Sequence, residues 1–174
     1  MDNQFLQQII ATFIGALAAF IFSLLLFYYT EQWKNKRDKK DLSKNIQKEF
    51  DYNIAFLKKY KEDFEKIIRQ ITTGDKTVYL YTRMSKLQRL FIMEAFNKGL
   101  LYDYLSIEDL NDLDDLMNHA SLGIDQWVMT NLNNYTSGQI DPPMALRSFE
   151  FEKSNIEKYV SILERLKAKL QNLS

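Results

Sequence analysis

Four side chains that could do chemistry recur at helical spacing in the middle of the chain. Glu108, Asp112, Asp115 and His119 are separated by four, three and four positions, so a helix would place them on one face. Three carboxylates and an imidazole can bind a divalent metal ion. A solvated acidic helix face explains the same pattern, with Asp115 and His119 as an ordinary pair one turn apart. We favour the acidic face, because no second helix supplies matching ligands.

Composition excludes most other catalytic arrangements. The 174 residues include no cysteine and one histidine, which excludes disulfides, thiolate chemistry and metal sites built on a pair of histidines. The sequence also contains no glycine-rich phosphate loop and no GxSxG motif. We therefore expect a protein that is not an enzyme, with no catalytic residue, no metal site and no cofactor.

The elements that carry these residues are expected to be helices, because only five glycines and two prolines interrupt the chain. A first soluble helix is predicted from Glu31 to Thr73, ended by Gly74, either as a separate helix or as one rod with the N-terminal segment, since no breaker divides the two. Eight of its positions, apolar except for Asn53, alternate by four and three, as in a bundle helix. They are Ile46, Phe50, Asn53, Leu57, Tyr60, Phe64, Ile67 and Ile71.

The rest of the chain predicts further helices. Thr77–Thr82 (TVYLYT) is expected to be an extended connection or the start of a helix over Met84–Tyr104. Ser106 with Asp109 predicts the cap of the next helix, with a break at Gly123 and a loop over Asn133–Gly138. The last helix is predicted over Pro143–Asn172, with a heptad pattern that can pair with the first soluble helix. Its apolar positions are Phe149, Ile156, Tyr159, Leu163, Leu166, Leu170 and Leu173.

The N-terminal segment predicts a membrane anchor. Ile9–Tyr29 is apolar except for Thr12 and Ser23, and at 1.5 Å per residue it is about 30 Å long, which matches a bilayer core. We therefore predict an all-α protein with a single N-terminal transmembrane helix and a cytoplasmic antiparallel helical bundle. The predicted domains are residues 1–30 for the anchor and 31–174 for the bundle.

The residues after the apolar stretch indicate its orientation. An aromatic and basic group follows it, as expected at the cytoplasmic interface of a membrane, with the N-terminus outside. The same residues can contact anionic lipid headgroups, so we expect lipid contact and no direct nucleic-acid binding. The group consists of Trp33, Lys34, Lys36, Arg37, Lys39 and Lys40.

Small residues recur along one side of the anchor. Ala11, Gly15, Ala19 and Ser23 are four positions apart, whereas bulky Phe and Leu side chains occupy the other sides. Such ridges let membrane helices approach closely, although Ala and Gly are also simply common in membrane helices. We predict that the ridge is a contact between copies of the chain.

Charge is segregated in the soluble part. Residues 101–141 include eight acids and no Lys or Arg, whereas residues 31–48 carry seven basic side chains against three acids. In a ring of identical subunits, an acidic face could meet a basic face of the neighbour. We predict that this inter-subunit acidic face contains Asp109, Asp112, Asp114 and Asp115.

Three segments follow one another along the chain. They are the hydrophobic N-terminus Phe5–Tyr29, the basic continuation from Lys34 and a helical domain reaching Ser174. This layout resembles the small membrane-anchored accessory protein of type VI-B CRISPR systems, in architecture and size over the whole chain. The resemblance implies antiviral defence, an RNA-guided nuclease as functional partner, and a divergent HEPN-like domain in a ring-forming membrane protein. Active HEPN domains carry Arg-x4-6-His, but the nearest Arg before His119 is Arg89, thirty residues away. No catalytic residue is transferred, and the implied domain is structural.

Two functions follow from these expectations. The first is a membrane-anchored homo-oligomeric effector that perturbs the inner membrane in CRISPR-associated defence, with a pore as one means of doing so. The alternative is a membrane-tethered adaptor that recruits a cytoplasmic partner, without a pore or enzymatic activity. A metal-dependent enzyme is the least favoured.

Overall fold

Five α-helices form most of the computed structural model, which describes residues 3–171 and the side chains from residue 7 onward. They are α1 (Asn3–Thr72), α2 (Leu90–Asn97), α3 (Ile107–His119), α4 (Leu122–Thr136) and α5 (Pro142–Leu170). Single 3-10 turns, Met84–Lys86 and Leu101–Asp103, lie before and after α2. No strand occurs among the described residues, which confirms the all-α class.

The chain divides into two units, residues 1–41 and 42–174, and α1 contributes to both. In the first unit, every side chain from residue 7 to residue 41 is exposed. This part of α1 is long and apolar enough to cross a membrane. The first buried side chain of α1 is Leu42, at the start of the second unit.

The core of the second unit is built on the stripe that the sequence predicts for α1. Each of its eight positions from Ile46 to Ile71 is buried, at the spacing that places one face of a helix against a core. On α5, the predicted positions from Phe149 to Leu170 are buried as well. Asn172, the predicted end of the last helix, and Leu173, the last position of its heptad pattern, lie outside the described residues.

Contacts between α1 and α5 show that these two helices are antiparallel. Gln47 near the start of the stripe donates to the carbonyl of Leu170 at 3.1 Å, and the Lys61 ammonium lies 2.9 Å from Glu157. Further along α1, the ring of Phe64 packs edge-on against Phe149, with centroids 5.8 Å apart. Partner numbers therefore fall as α1 numbers rise.

The segment between α1 and α3 corrects one prediction. The helix expected over Met84–Tyr104 is a 3-10 turn, the short helix α2 and a second 3-10 turn. Gly99 ends α2 because its φ of 71° is in the left-handed region that favours glycine. Thr77–Thr82 is a connection without regular secondary structure and not the start of a helix, which were the two possibilities weighed for it.

Two boundaries around α4 also differ from the predictions. The break expected at Gly123 comes earlier, because Ser121 takes an extended conformation and α4 starts at Leu122, with Gly123 in its first turn. The loop expected over Asn133–Gly138 is wrong for its first four residues, since α4 continues to Thr136. The helix ends before Gly138, whose φ is 76°.

Candidate functional sites

The four side chains considered as metal ligands, from Glu108 to His119, all lie on α3, but they do not come together at one point. His119, at its last turn, reaches α5, where its Nε2 lies 2.9 Å from one oxygen of Glu152 and 3.2 Å from the other. Asp112 pairs with Arg165 of α5. Within the described part of the chain, no three His, Cys, Asp or Glu side chains are placed to bind a metal ion.

The partner of His119 was missed by the sequence reasoning. His119 was expected to pair with Asp115, but its partner is Glu152. The Glu152 side chain is 1% exposed and that of His119 is 20% exposed. Asn155 also donates to Glu152, at 3.3 Å, and the His119 ring lies 5.1 Å from that of Tyr159. The available signal was the position of Glu152 between Phe149 and Ile156, where an acid interrupts an apolar stripe. The arrangement joins α3 to α5.

The predicted inter-subunit acidic face is divided by the fold. Asp109 is 2% exposed and accepts hydrogen bonds from Ser106, with which it forms a capping box at the start of α3. The Lys169 ammonium also donates to it, and Arg165 lies 3.4 Å away. Burial would raise the pKa of Asp109, but the bonds from Lys169 and Ser106 outweigh burial and hold the pKa below its ordinary value.

Asp109 is therefore buried within the chain rather than on the surface predicted for it, and Asp112 is paired with Arg165. Asp114 and Asp115 are exposed, with Asp114 accepting a hydrogen bond from Asn118 one turn away at 3.0 Å. Contact of these two acids with a neighbouring subunit stays a prediction.

An open apolar groove of about 530 Å³ lies beside Asp114. It is formed between α2, the second 3-10 turn and α3, and its exposed walls include Ile107 and Tyr102. The other lining side chains include Met93, Phe96, Leu110 and Met117. The lining is thus mostly apolar, with Asp114 as its one acid among the described residues.

The apolar part of α1 exposes its large side chains, as Phe13, Phe20 and Phe27 show with 69%, 61% and 67% exposure. Its polar side chains are satisfied within the helix: Thr12 and Ser23 each donate to a carbonyl one turn earlier at 2.8 Å. Such internal pairing is what a helix needs in lipid, where water is not available.

The predicted ridge is exposed along the same helix. Ala11, Gly15, Ala19 and Ser23 are all open, and a Cβ built on Gly15 would meet nothing within 4 Å. Packing within the chain therefore does not require a glycine at this position. The predicted interface residues Trp33, Lys34, Lys36, Arg37, Lys39 and Lys40 are exposed too.

Three buried polar side chains hold the connection between α1 and α3. The Asp125 carboxylate accepts from the backbone N–H groups of Met84 and Ser85, at 2.7 and 3.2 Å. Asn53 donates to the carbonyl of Gln88 at 2.6 Å and accepts from its N–H at 2.9 Å. These bonds fix a segment that has few hydrogen bonds of its own.

The third of these side chains, Glu49, caps the first turn of α2. One carboxylate oxygen accepts from the N–H of Phe91 at 2.6 Å, and the other has no partner among the described residues. Burial raises the pKa of Glu49 above its ordinary value, and bonds from the N–H groups of Phe91 and Ile92 oppose that shift.

Comparison with protein-family models, with characterised proteins and with solved structures finds no match for the chain.

Proposed function

We propose that the chain is a membrane-anchored homo-oligomeric effector that perturbs the bilayer. The observation that carries the proposal is the apolar part of α1, which is fully exposed and carries the small-residue ridge on one side. An apolar surface of this extent is stable in lipid and not in water. The ridge gives copies of this helix a place to meet.

The proposed orientation has the N-terminus outside and the second unit in the cytoplasm of a bacterium. Support comes from the basic side chains between Lys34 and Lys40, which follow the apolar stretch directly. All of them are exposed, as contact with anionic headgroups requires. A place in antiviral defence beside an RNA-guided nuclease is proposed on the resemblance in layout alone.

The charge contacts proposed between subunits involve fewer acids than the sequence predicted. Two of the four predicted acids, Asp109 and Asp112, are neutralised by Arg165 and Lys169 of the same subunit. Charge segregation is thus partly resolved within one copy, which leaves Asp114 and Asp115 to face a neighbour. Exposed pairs contribute only about 0–1 kcal/mol each, so assembly is proposed to rest mainly on the membrane helices.

The alternative function, a tethered adaptor, is favoured by the groove beside Asp114. A soluble partner with an apolar and basic segment would fit it without any contact between membrane helices. Adaptor and effector differ in whether the purified chain acts on a membrane by itself.

Dye release from liposomes separates the two functions. The purified chain, reconstituted in liposomes that contain a small dye, is expected to release it. Gly15→Leu with Ala19→Leu is expected to reduce release, because the added side chains keep the helices apart. Leu17→Phe adds bulk on the opposite side of the helix and serves as the control. Intact liposomes at every protein density would exclude the effector and leave the adaptor.

A further inference from the structure

The connection after α1 presents two tyrosines to solvent. Burial alternates along residues 78–81, as it does where successive side chains take opposite sides of a backbone. Val78 is buried and Leu80 packs against the core, whereas Tyr79 and Tyr81 are 72% and 83% exposed. The two exposed rings lie near each other, with centroids 6.1 Å apart and planes at 23°. The core therefore fixes the backbone that holds both rings outward.

A groove runs between this connection and one face of α1. It consists of two adjoining hollows of about 440 and 330 Å³, and both are lined by Asp63 and Tyr81. The α1 face extends from Tyr52 to Gln70, which at 1.5 Å per residue is about 27 Å. Near one end, the rings of Tyr52 and Phe56 are stacked at 6.4 Å, with planes at 15°.

Lysines along the groove make it positive. Lys59 and Lys86 line the first hollow, and within the described residues neither forms an ion pair with an acid. Lys66 lines the second hollow, 3.4 Å from the carboxylate of Asp63. Asp63, the one acid in the lining that the structure describes, also accepts a hydrogen bond from Thr82. The charge of Asp63 is thus balanced by Lys66 within the groove, whereas Lys59 and Lys86 have no acidic partner among the described residues.

We propose that this groove, hereafter the tyrosine groove, binds single-stranded nucleic acid. The ligand chemistry is a nucleobase that stacks on an exposed ring, joined to a phosphate that meets a lysine. A base must be unpaired to stack in this way, which excludes duplexes. The length of the groove matches at most about eight nucleotides at the ~3.4 Å rise of a stacked strand, so a strand fits better than one nucleotide.

The tyrosine groove is separate from the surfaces of the proposed function. It uses neither the ridge from Ala11 to Ser23 nor the acids of α3. The expectation of no nucleic-acid contact was based on the basic residues after the anchor, which this groove does not include. Binding of a strand can therefore be measured whether or not the chain releases dye.

Fluorescence anisotropy of a labelled 12-nucleotide uridine strand tests the proposal, with the full chain in nonionic detergent. The strand is expected to bind, and Tyr79→Ala with Tyr81→Ala to weaken binding at least tenfold, since each stacked base contributes about 1–3 kcal/mol. Tyr79→Phe with Tyr81→Phe keeps the rings and is expected to keep the affinity. The connection is expected to keep its place in the alanine variant, because its core contacts come from Val78 and Leu80 and not from the exposed rings.

The charge contribution is measured by Lys59→Glu with Lys86→Glu. Affinity should fall, and the slope of log affinity against log salt should decrease by about 0.7 for each phosphate that the lysines no longer neutralise. Matched controls are Tyr102→Ala, which removes a ring exposed elsewhere, and Arg147→Glu, which reverses the charge of a side chain on α5.

Uridine monophosphate, added as competitor, separates a strand from a single nucleotide. Displacement by the monophosphate at concentrations similar to the strand's would assign the same chemistry to a nucleotide site and overturn binding of a strand. Three other results would also overturn the proposal: no binding of the strand, equal binding of a duplex, or equal losses in the control variants.

Discussion

Removing the His119 side chain is expected to destabilise the protein rather than to abolish a reaction. His119 supplies the shorter contact to Glu152, at 2.9 Å, and Asn155 is the other donor, at 3.3 Å. Glu152 is 1% exposed, so water cannot freely replace the imidazole ring. His119→Ala would leave a buried acid with one weak hydrogen bond.

The size of the effect follows from this burial. Leaving a buried polar group without its hydrogen-bond partner typically costs about 1–3 kcal/mol. The upper end applies here, because the group left behind is a carboxylic side chain that is 1% exposed. We expect a loss of about 3 kcal/mol. In the background Glu152→Gln, where no carboxylate remains, the same change should cost only about 1 kcal/mol, the typical value for a neutral hydrogen bond.

The assay is a double-mutant cycle measured by urea unfolding of the full chain in mild detergent, followed by far-UV circular dichroism. The difference between these two costs predicts a coupling of about 2 kcal/mol between His119 and Glu152. Coupling below about 0.5 kcal/mol would refute the reasoning, since distant and independent sites differ from additivity by no more than that.

Four further predictions concern Asp109, Asp125, the topology and the role of His119. The fold lowers the pKa of Asp109, so the ionised Asp109 stabilises the protein fully above its ordinary pKa of 3.8, and this stabilisation is lost as pH falls through the lower folded value. Asp109→Asn should therefore flatten the pH dependence of urea midpoints below pH 3.8. Asp125→Ala strands two backbone N–H groups and should cost about 3 kcal/mol in urea unfolding, whereas Asp125→Asn, which keeps one acceptor, should cost less. A reporter active only in the cytoplasm, fused after Ser174, should be active, and silence of a well-expressed fusion would contradict the topology. At a temperature where His119→Ala stays folded, dye release should be nearly unchanged, and complete loss would revive a catalytic role for the histidine.

Periodicity predicted the parts of the fold in which one face of a long helix is buried. The sequence predicted the stripe from Ile46 to Ile71 and its counterpart on α5, because their positions repeat the helical spacing. The cap formed by Ser106 and Asp109 was readable for a similar reason, since its chemistry is local in sequence.

The remaining features depend on contacts between residues far apart in the chain. Met84–Tyr104 has helix-forming residues, yet Asn53 and Asp125 bind its backbone in another conformation. Asp109 has the sequence pattern of an exposed acidic face, but Lys169 of α5 lies beside it in the fold. Neither partner can be read from the local pattern, because tertiary hydrogen bonds override propensity.

Cysteine cross-linking in native membranes tests most directly whether the anchor helices associate through the ridge. The chain contains no cysteine, so each introduced thiol reports on one position. Gly15→Cys, Ala19→Cys and Ser23→Cys should each form dimers on mild oxidation, because a ridge contact brings equivalent positions close together. Leu17→Cys, on the opposite side of the helix, should stay monomeric. Dimers that form equally at all four positions, or at none of them, would contradict assembly through the ridge.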